Sequence, residues 1–146
     1  MAEIDSRLEQ IPWVDAFNVG QAEIDLEHRH LFDEINRFVD HVLSKEANKT
    51  TLDTLITRMI SNHKFHFIHE EQIMLRYNYS QLPAHAIEHR NLEARINEIY
   101  GEFTFTSPNN LDGLLDQSLT IKELILDHFL HYDLKYKSHL MNAQGR

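Results

Sequence analysis

Residues 63 to 74 read HKFHFIHEEQIM. Through and beyond them, Leu52, Leu55, Met59, His63, His66, Glu70, Ile73 and Tyr77 recur at steps of three and four, as one face of an α-helix does. That face should bury Leu and Ile, yet it carries imidazoles and a carboxylate. An ionised carboxylate buried without a partner is strongly destabilising, so Glu70 must be neutralised, paired or bound to a metal. This segment predicts a long helix from about Lys49 to Tyr77, with Thr50, Thr51 and Asp53 suited to capping its start.

The same pattern appears on both sides. A first helix is predicted from about Gln21 to Leu43, with Ile24, His28, Leu31, Phe32, Ile35, Phe38, Val39 and Val42 facing inward. A third opens near Leu82, with Pro83 in its first turn, and repeats Leu82, His85, His89, Leu92, Ile96, Ile99 and Phe103. The fourth follows SPNN at Leu111 and carries Leu114, Ser118, Ile121, Ile125, His128 and Tyr132. Gly113 weakens its first turn by up to about 1 kcal/mol. Four helices of about 20 to 28 residues with short connections indicate an all-α, antiparallel up-down-up-down four-helix bundle. One domain is expected over residues 1–146, divided into an N-terminal arm at 1–20, a bundle at about 21–134 and a tail at 135–146 that forms a short terminal helix or extension.

Composition narrows the chemistry. The chain has 146 residues with 14 basic and 23 acidic side chains, a formal charge of -9, and no basic cluster. It offers no stripe for nucleic acid or an anionic membrane, and a monomer is expected. The absence of cysteine excludes disulfides, thiolate metal sites and iron–sulfur clusters. No stretch approaches the roughly 20 apolar residues of a membrane span, and the start, MAEIDSRLEQIPWV, lacks a leader pattern, so a cytoplasmic location is expected. Eleven histidines against four glycines and three prolines are the unusual feature.

All four inward stripes carry at least one metal-capable residue, and two carry an i, i+4 pair: His66 with Glu70, and His85 with His89. A four-residue step advances roughly 400°, leaving each pair about 40° apart and able to reach one interior point. One histidine on an apolar stripe is ordinarily a satisfied core residue. Five of them with a carboxylate, on four facing stripes, make a metal centre. Imidazole suits zinc, copper, iron and nickel, while a carboxylate able to bridge favours two ions side by side, so a dinuclear iron site is expected.

The segments WVDAFNVGQAEIDLEHRHLFDEIN, HFIHEEQIM, HAIEHRN and HFLHYDLKY resemble, in order and spacing, the motifs of the hemerythrin family, particularly its single-domain bacterial members. The resemblance spans Trp13 to Tyr136, and the successive motifs H, HxxxE, HxxxH and HxxxxD are satisfied by His28, His66 and Glu70, His85 and His89, and His128 and Asp133. It implies a non-heme centre of two iron ions bridged by Glu70, Asp133 and an oxo or hydroxo group. His85, His89 and His128 would complete one iron. His28 and His66 would leave the other with an open position for O2. Small anions such as azide, or nitric oxide, could take the same position. Asp133 depends on the resemblance alone, because five residues advance roughly 500° and leave it about 140° from His128 unless the helix ends or distorts between them.

Further roles are read more conservatively. His63 is expected as a partly exposed residue at the core edge, with a donor role behind the ligands as the alternative. His30, His41, His69, His131 and His139 are expected at the surface or boundary, Glu71 as a solvated or hydrogen-bonding residue, and Trp13 as the closure of the bundle by the arm. Phe67, Ile125 and Phe129 match the family's apolar pocket, and Met74 and Tyr136 its recurrent core positions, although ordinary packing accounts for all five. Leu124 stands where the family commonly has Trp and is expected at the wall of the O2 pocket. The function implied is reversible O2 binding for storage, delivery or buffering, without catalysis. A sensor of O2, nitric oxide or redox state that signals through an unidentified protein partner is the alternative. Di-iron oxidase or iron-handling chemistry fits less well, since such sites use two ExxH motifs and the one here is Glu27 to His30.

Overall fold

The computed structural model describes residues 6–144 and is all-helical across them. Four long helices, α1 (Ala22–Leu43), α2 (Lys49–Arg76), α3 (Leu82–Phe105) and α4 (Leu111–His131), are followed by a 3₁₀ turn, Asp133–Tyr136, and a short α5 (Lys137–Gln144). Their ends follow from local chemistry. Gln21 caps α1 by accepting from Ile24 N–H at 2.8 Å. At the start of α2 the cap is Asn48, accepting from Thr51 N–H at 3.0 Å, and not the Thr50, Thr51 and Asp53 cluster: a cap must stand one residue outside the helix with extended backbone, as Asn48 does. Asn110 caps α4 through Gly113 N–H at 3.0 Å, and a Cβ on Gly113 would meet the Asn110 amide at 2.6 Å. The glycine that weakens this first turn therefore admits its cap.

Successive helices run antiparallel. Glu34 of α1 meets Asn62 of α2, whereas Glu23, earlier in α1, meets His69, later in α2. Asp53 and Glu71 of α2 pair with Tyr100 and His89 of α3 in the same reversed order. The result is a four-helix bundle. No helix of the described residues is long and apolar enough to cross a membrane.

Two apolar clusters fill the interior. The larger contains Ile35, Phe38, Ile56, Phe67, Ile96, Phe103, Ile121 and Ile125. The smaller contains Val19, Ile24, Ile73, Met74, Tyr136 and Leu140. On α1 the order is Ile24, His28, Ile35, and on α2 it is Phe67, Glu70, Ile73. The polar side chains thus occupy one layer between the clusters, with hydrocarbon on both sides. The arm packs against the middle of α4, where buried Lys122 donates to the Arg7 and Glu9 carbonyls. Gly20 has φ +91°, and a Cβ there would lie 2.5 Å from Met141 Cγ, so glycine lets α5 close against the start of α1.

Candidate metal centre

Seven buried side chains meet in the polar layer. Glu70, His85, His89, His128 and Asp133 form one group, and His28, His66, Glu70 and Asp133 another; within each group the donor atoms lie within 4.8 Å of one another. Glu70 and Asp133 belong to both. Glu70 Oε2 is 3.2 Å from His28 Nε2 and 3.0 Å from His66 Nε2, while Oε1 is 2.9 Å from His85 Nε2 and 3.1 Å from His89 Nε2. Asp133 Oδ1 lies 3.1 Å from His85 Nε2 and 3.0 Å from His128 Nε2, and Oδ2 lies 3.5 Å from His28 Nε2. Every one of the five imidazoles turns Nε2 inward.

Asp133 reaches this layer because α4 stops. Tyr132 departs from helical geometry at φ −116° and ψ −49°, and the chain tightens into the 3₁₀ turn that begins at Asp133. A tighter turn changes the angular step, so a residue that an unbroken helix would carry round to solvent is buried instead.

Three features fit a cation at the centre. The Nε2 atoms of His28 and His66 face each other at 3.0 Å, a contact that needs either a hydrogen on one nitrogen or a cation shared by both. His128 Nε2 and Asp133 Oδ1, although close, are not aligned to hydrogen-bond, and both are buried and unsatisfied. The donor set, five imidazole nitrogens and two bridging carboxylates, suits iron or a similar ion.

Taken as protein groups alone, the donors compensate one another with protons. Burial pushes His66 and His85 down, but the carboxylates override it: Glu70 and Glu27 raise His66 to about 10, and Asp133 and Glu70 raise His85 to about 9. Burial pushes Glu70 up, yet His66, His28 and His85 hold it well below the usual carboxylate range. Asp133 is lowered too, against burial and the Glu70 charge, by His128 and His28. Chelator-treated protein should therefore respond to pH in a defined direction. The contribution of the raised histidines is fully present below about 6.5, declines as pH rises towards 9 and 10, and is then lost. The contribution of the lowered carboxylates is present above their ordinary value and is lost in acid. Melting followed by circular dichroism from pH 5 to 10 should show the midpoint falling above neutrality; a flat profile from pH 7 to 10 would contradict it.

The outer nitrogens are held as well. Glu27 Oε1 accepts from His66 Nδ1–H at 2.8 Å, and Glu71 Oε2 from His89 Nδ1–H at 2.8 Å. Each bond fixes the tautomer whose Nε2 lone pair points inward. Glu27 also receives His69 Nδ1–H, and His69 Nε2 lies 3.2 Å from Glu23. Tyr136 donates its hydroxyl to Glu70 Oε2 at 2.8 Å from full burial, more than the packing expected of it. Neither Glu27 nor Tyr136 was singled out as functional from sequence. Glu27 adjoins His28 off the buried stripe, and only the packing of α1 on α2 reveals its partner.

A cavity of about 20 Å³, roomy enough for one water-sized guest, lies against His28, His66, His128 and Asp133. Its remaining walls are Leu31, Phe32, His63, Phe67, Leu92, Ile125 and Phe129. Phe67, Ile125 and Phe129 were anticipated here; Leu124 is not among the lining residues and packs half-buried against the larger cluster. Counting from His128, Ile125 and Phe129 fall roughly 60° and 100° to one side of α4 and Leu124 about 40° to the other. Trp13 stays outside, edge-on to Phe17 and Phe32 and beneath the Arg29 guanidinium, and supports Phe129 from behind. His63 is a correction: it is 5% exposed and counts as buried, not partly exposed, with its ring packed beside Phe67. His30 and His131 are exposed and His41 half-buried, whereas His139 donates to the Tyr77 carbonyl at 2.6 Å.

Residues 19–140 match the family model described as the hemerythrin HHE cation binding domain. The chain is 28% identical over 130 residues to a myohemerythrin of Riftia pachyptila, covering 88% of this chain and 92% of that one. It is 27% identical over 128 residues to a bacteriohemerythrin of Clostridium acetobutylicum, covering 85% and 96%. A bacteriohemerythrin of Aquifex aeolicus is 26% identical over 85 residues, covering 58% and 63%. No solved structure gives a significant match. With the matched region enclosing all four long helices and every convergent donor, the chain belongs to the hemerythrin HHE cation-binding domain family.

Proposed function

We propose that this chain is a reversible O2-binding protein with two iron ions, serving oxygen storage, delivery or buffering without catalytic turnover. The observation that carries this reading is the asymmetry of the two donor groups, which share Glu70 and Asp133 but add three histidines on one side and two on the other. The richer side would offer an ion five protein donors and the poorer side four. The cavity abuts both histidines of the poorer side, His28 and His66, and one of the three on the richer side, His128. An incompletely ligated metal beside a cavity is what distinguishes a reactive site from a structural one. Two ferrous ions held by these residues would supply the reversible electron transfer that O2 binding and release require.

The chain's own residues set the conditions. Glu27 and Glu71 keep the His66 and His89 lone pairs aimed inward. Tyr136 satisfies the Glu70 oxygen lying nearer His28 and His66. Phe32, Phe67, Ile125 and Phe129 surround the cavity with hydrocarbon, which limits water at the centre. Among the described residues the one carboxylate in the cavity wall is Asp133, itself within the donor set.

Metal analysis with protein quantification should give two irons per chain. Anaerobically reduced protein should develop a new optical absorption on exposure to O2 and lose it on degassing, over repeated cycles. One ion per chain, or an O2 response that degassing does not reverse, would overturn the proposal.

A further inference from the structure

His63 is the one buried imidazole without a place among the convergent donors. It sits on α2 one turn before His66, and its Nδ1 lies 2.8 Å from the Met59 carbonyl oxygen. A carbonyl can only accept, so Nδ1 carries the hydrogen. Burial, which the Met59 bond only partly offsets, lowers His63 to about 3, so the ring is neutral at physiological pH. Nε2 is then a bare lone pair, and it makes no hydrogen bond among the described residues. The tautomer follows from a backbone contact on the residue's own helix.

The place of this ring gives the lone pair a use. A surface cleft between α2, α3 and α4 opens at Lys64, Glu93 and Asn97. Three side chains line both this cleft and the inner cavity: His63, Phe67 and Ile125. They form the partition between solvent and the candidate centre. Two are hydrocarbon, so a small molecule crossing here meets one polar group, which can accept a hydrogen bond and cannot donate one.

We infer that His63 is the polar post of a ligand passage from this cleft to the cavity, a positioning residue that admits small neutral ligands bearing a proton in preference to bare anions. The inference rests on the proposed two-iron centre with its exchangeable position toward the cavity. An N–H or O–H on the incoming molecule gains a partner in an otherwise apolar channel. An anion loses hydration, gains no donor and faces the lone pair.

Azide and cyanamide separate these cases, being similar linear molecules of which azide is anionic and cyanamide neutral with N–H groups near pH 7. Stopped-flow association with the iron-loaded, oxidised protein would be compared for wild type, His63→Leu and His63→Gln. His63→Leu should bind azide faster and cyanamide more slowly, each by about 3- to 10-fold, the scale of one hydrogen bond. The ratio of the two rates thus shifts by about tenfold or more. His63→Gln, which can present an amide oxygen, should move the ratio back toward wild type. An unchanged ratio in fully loaded His63→Leu would overturn the inference. Iron content, measured first, distinguishes this from failure of the two-iron reading. Should iron not load, nitrogen-15 correlation spectra of the metal-free wild type decide the matter: a neutral ring with hydrogen on Nδ1 supports it, and a protonated or Nε2–H ring at pH 7 overturns it.

Discussion

Glu70→Gln is expected to strip the protein of both irons while leaving its fold intact. Glu70 is fully buried in the last third of α2, and its two oxygens divide the site, Oε2 toward His28 and His66 and Oε1 toward His85 and His89. An amide of the same shape has no charge and presents one acceptor, so it cannot offer a negative oxygen to each side. The fold should tolerate the change, because the histidines that Glu70 keeps charged can release their protons and remain as neutral rings. Glu70→Ala differs in this respect. It leaves a hole and removes the Tyr136 acceptor, and breaking one partner out of a buried charge network costs roughly 3–5 kcal/mol. Iron per chain should fall from two to below one in both variants, while at neutral pH chelated Glu70→Gln melts below chelated wild type, having lost the charge that raises His66 and His85, and Glu70→Ala melts lower still. Two irons retained by Glu70→Gln would show that Asp133 and the histidines hold the metal unaided. His85→Ala and His89→Ala should likewise reduce iron, whereas His63→Ala should retain both ions; loss of iron there would move His63 into the donor set.

The parts of this site that were legible in the sequence are those that obey helical periodicity. His66 with Glu70 and His85 with His89 are spaced to project from one face, and His28 and His128 replace apolar residues on otherwise regular stripes. These six converge because antiparallel packing brings the early turns of α1 and α3 level with the later turns of α2 and α4. Asp133 breaks the periodicity, and its burial depends on the end of α4 at His131 and the tighter turn beyond it. Only the family resemblance foretold its place. The residues supporting the donors were less visible still. Glu27 is half-exposed and meets His66 across a helix interface, and Tyr136 ends the 3₁₀ turn, where no helix face can be assigned. Lys122 is buried because the arm's carbonyls reach it, a contact of more than a hundred residues' separation that no local pattern encodes. Leu124 shows the opposite failure. A family position suggested a pocket wall, but the side chain lies on the other flank of α4 from Ile125 and Phe129.

With two ions bound as proposed, removing them should lower the melting midpoint by roughly 15 to 30 °C. Each ion bound about a thousandfold above its dissociation constant contributes about 4 kcal/mol to folding, so two contribute about 8. A domain of this size shifts by about 2 to 4 °C for each kcal/mol. The loss should not be uniform along the bundle. The larger apolar cluster joins all four long helices through Phe38, Met59, Phe103 and Ile121 and stands without help from the polar layer. The smaller one depends on Val19, Ile24, Ile73, Met74, Tyr136 and Leu140, of which Tyr136 is tied to Glu70 and the last two follow Asp133 in the chain. Asp133 anchors that chain end only as long as its charge is compensated. Chelation should therefore loosen α5, the 3₁₀ turn and the start of α1 first, raising amide hydrogen exchange there by orders of magnitude while amides around Phe38 and Phe103 stay protected until global unfolding. Differential scanning calorimetry of iron-loaded and chelated protein at the same pH tests the magnitude, and exchange followed residue by residue tests the order. Equal midpoints would mean that protons compensate the buried carboxylates as well as iron does, and uniform exchange would mean that the two clusters unfold as one.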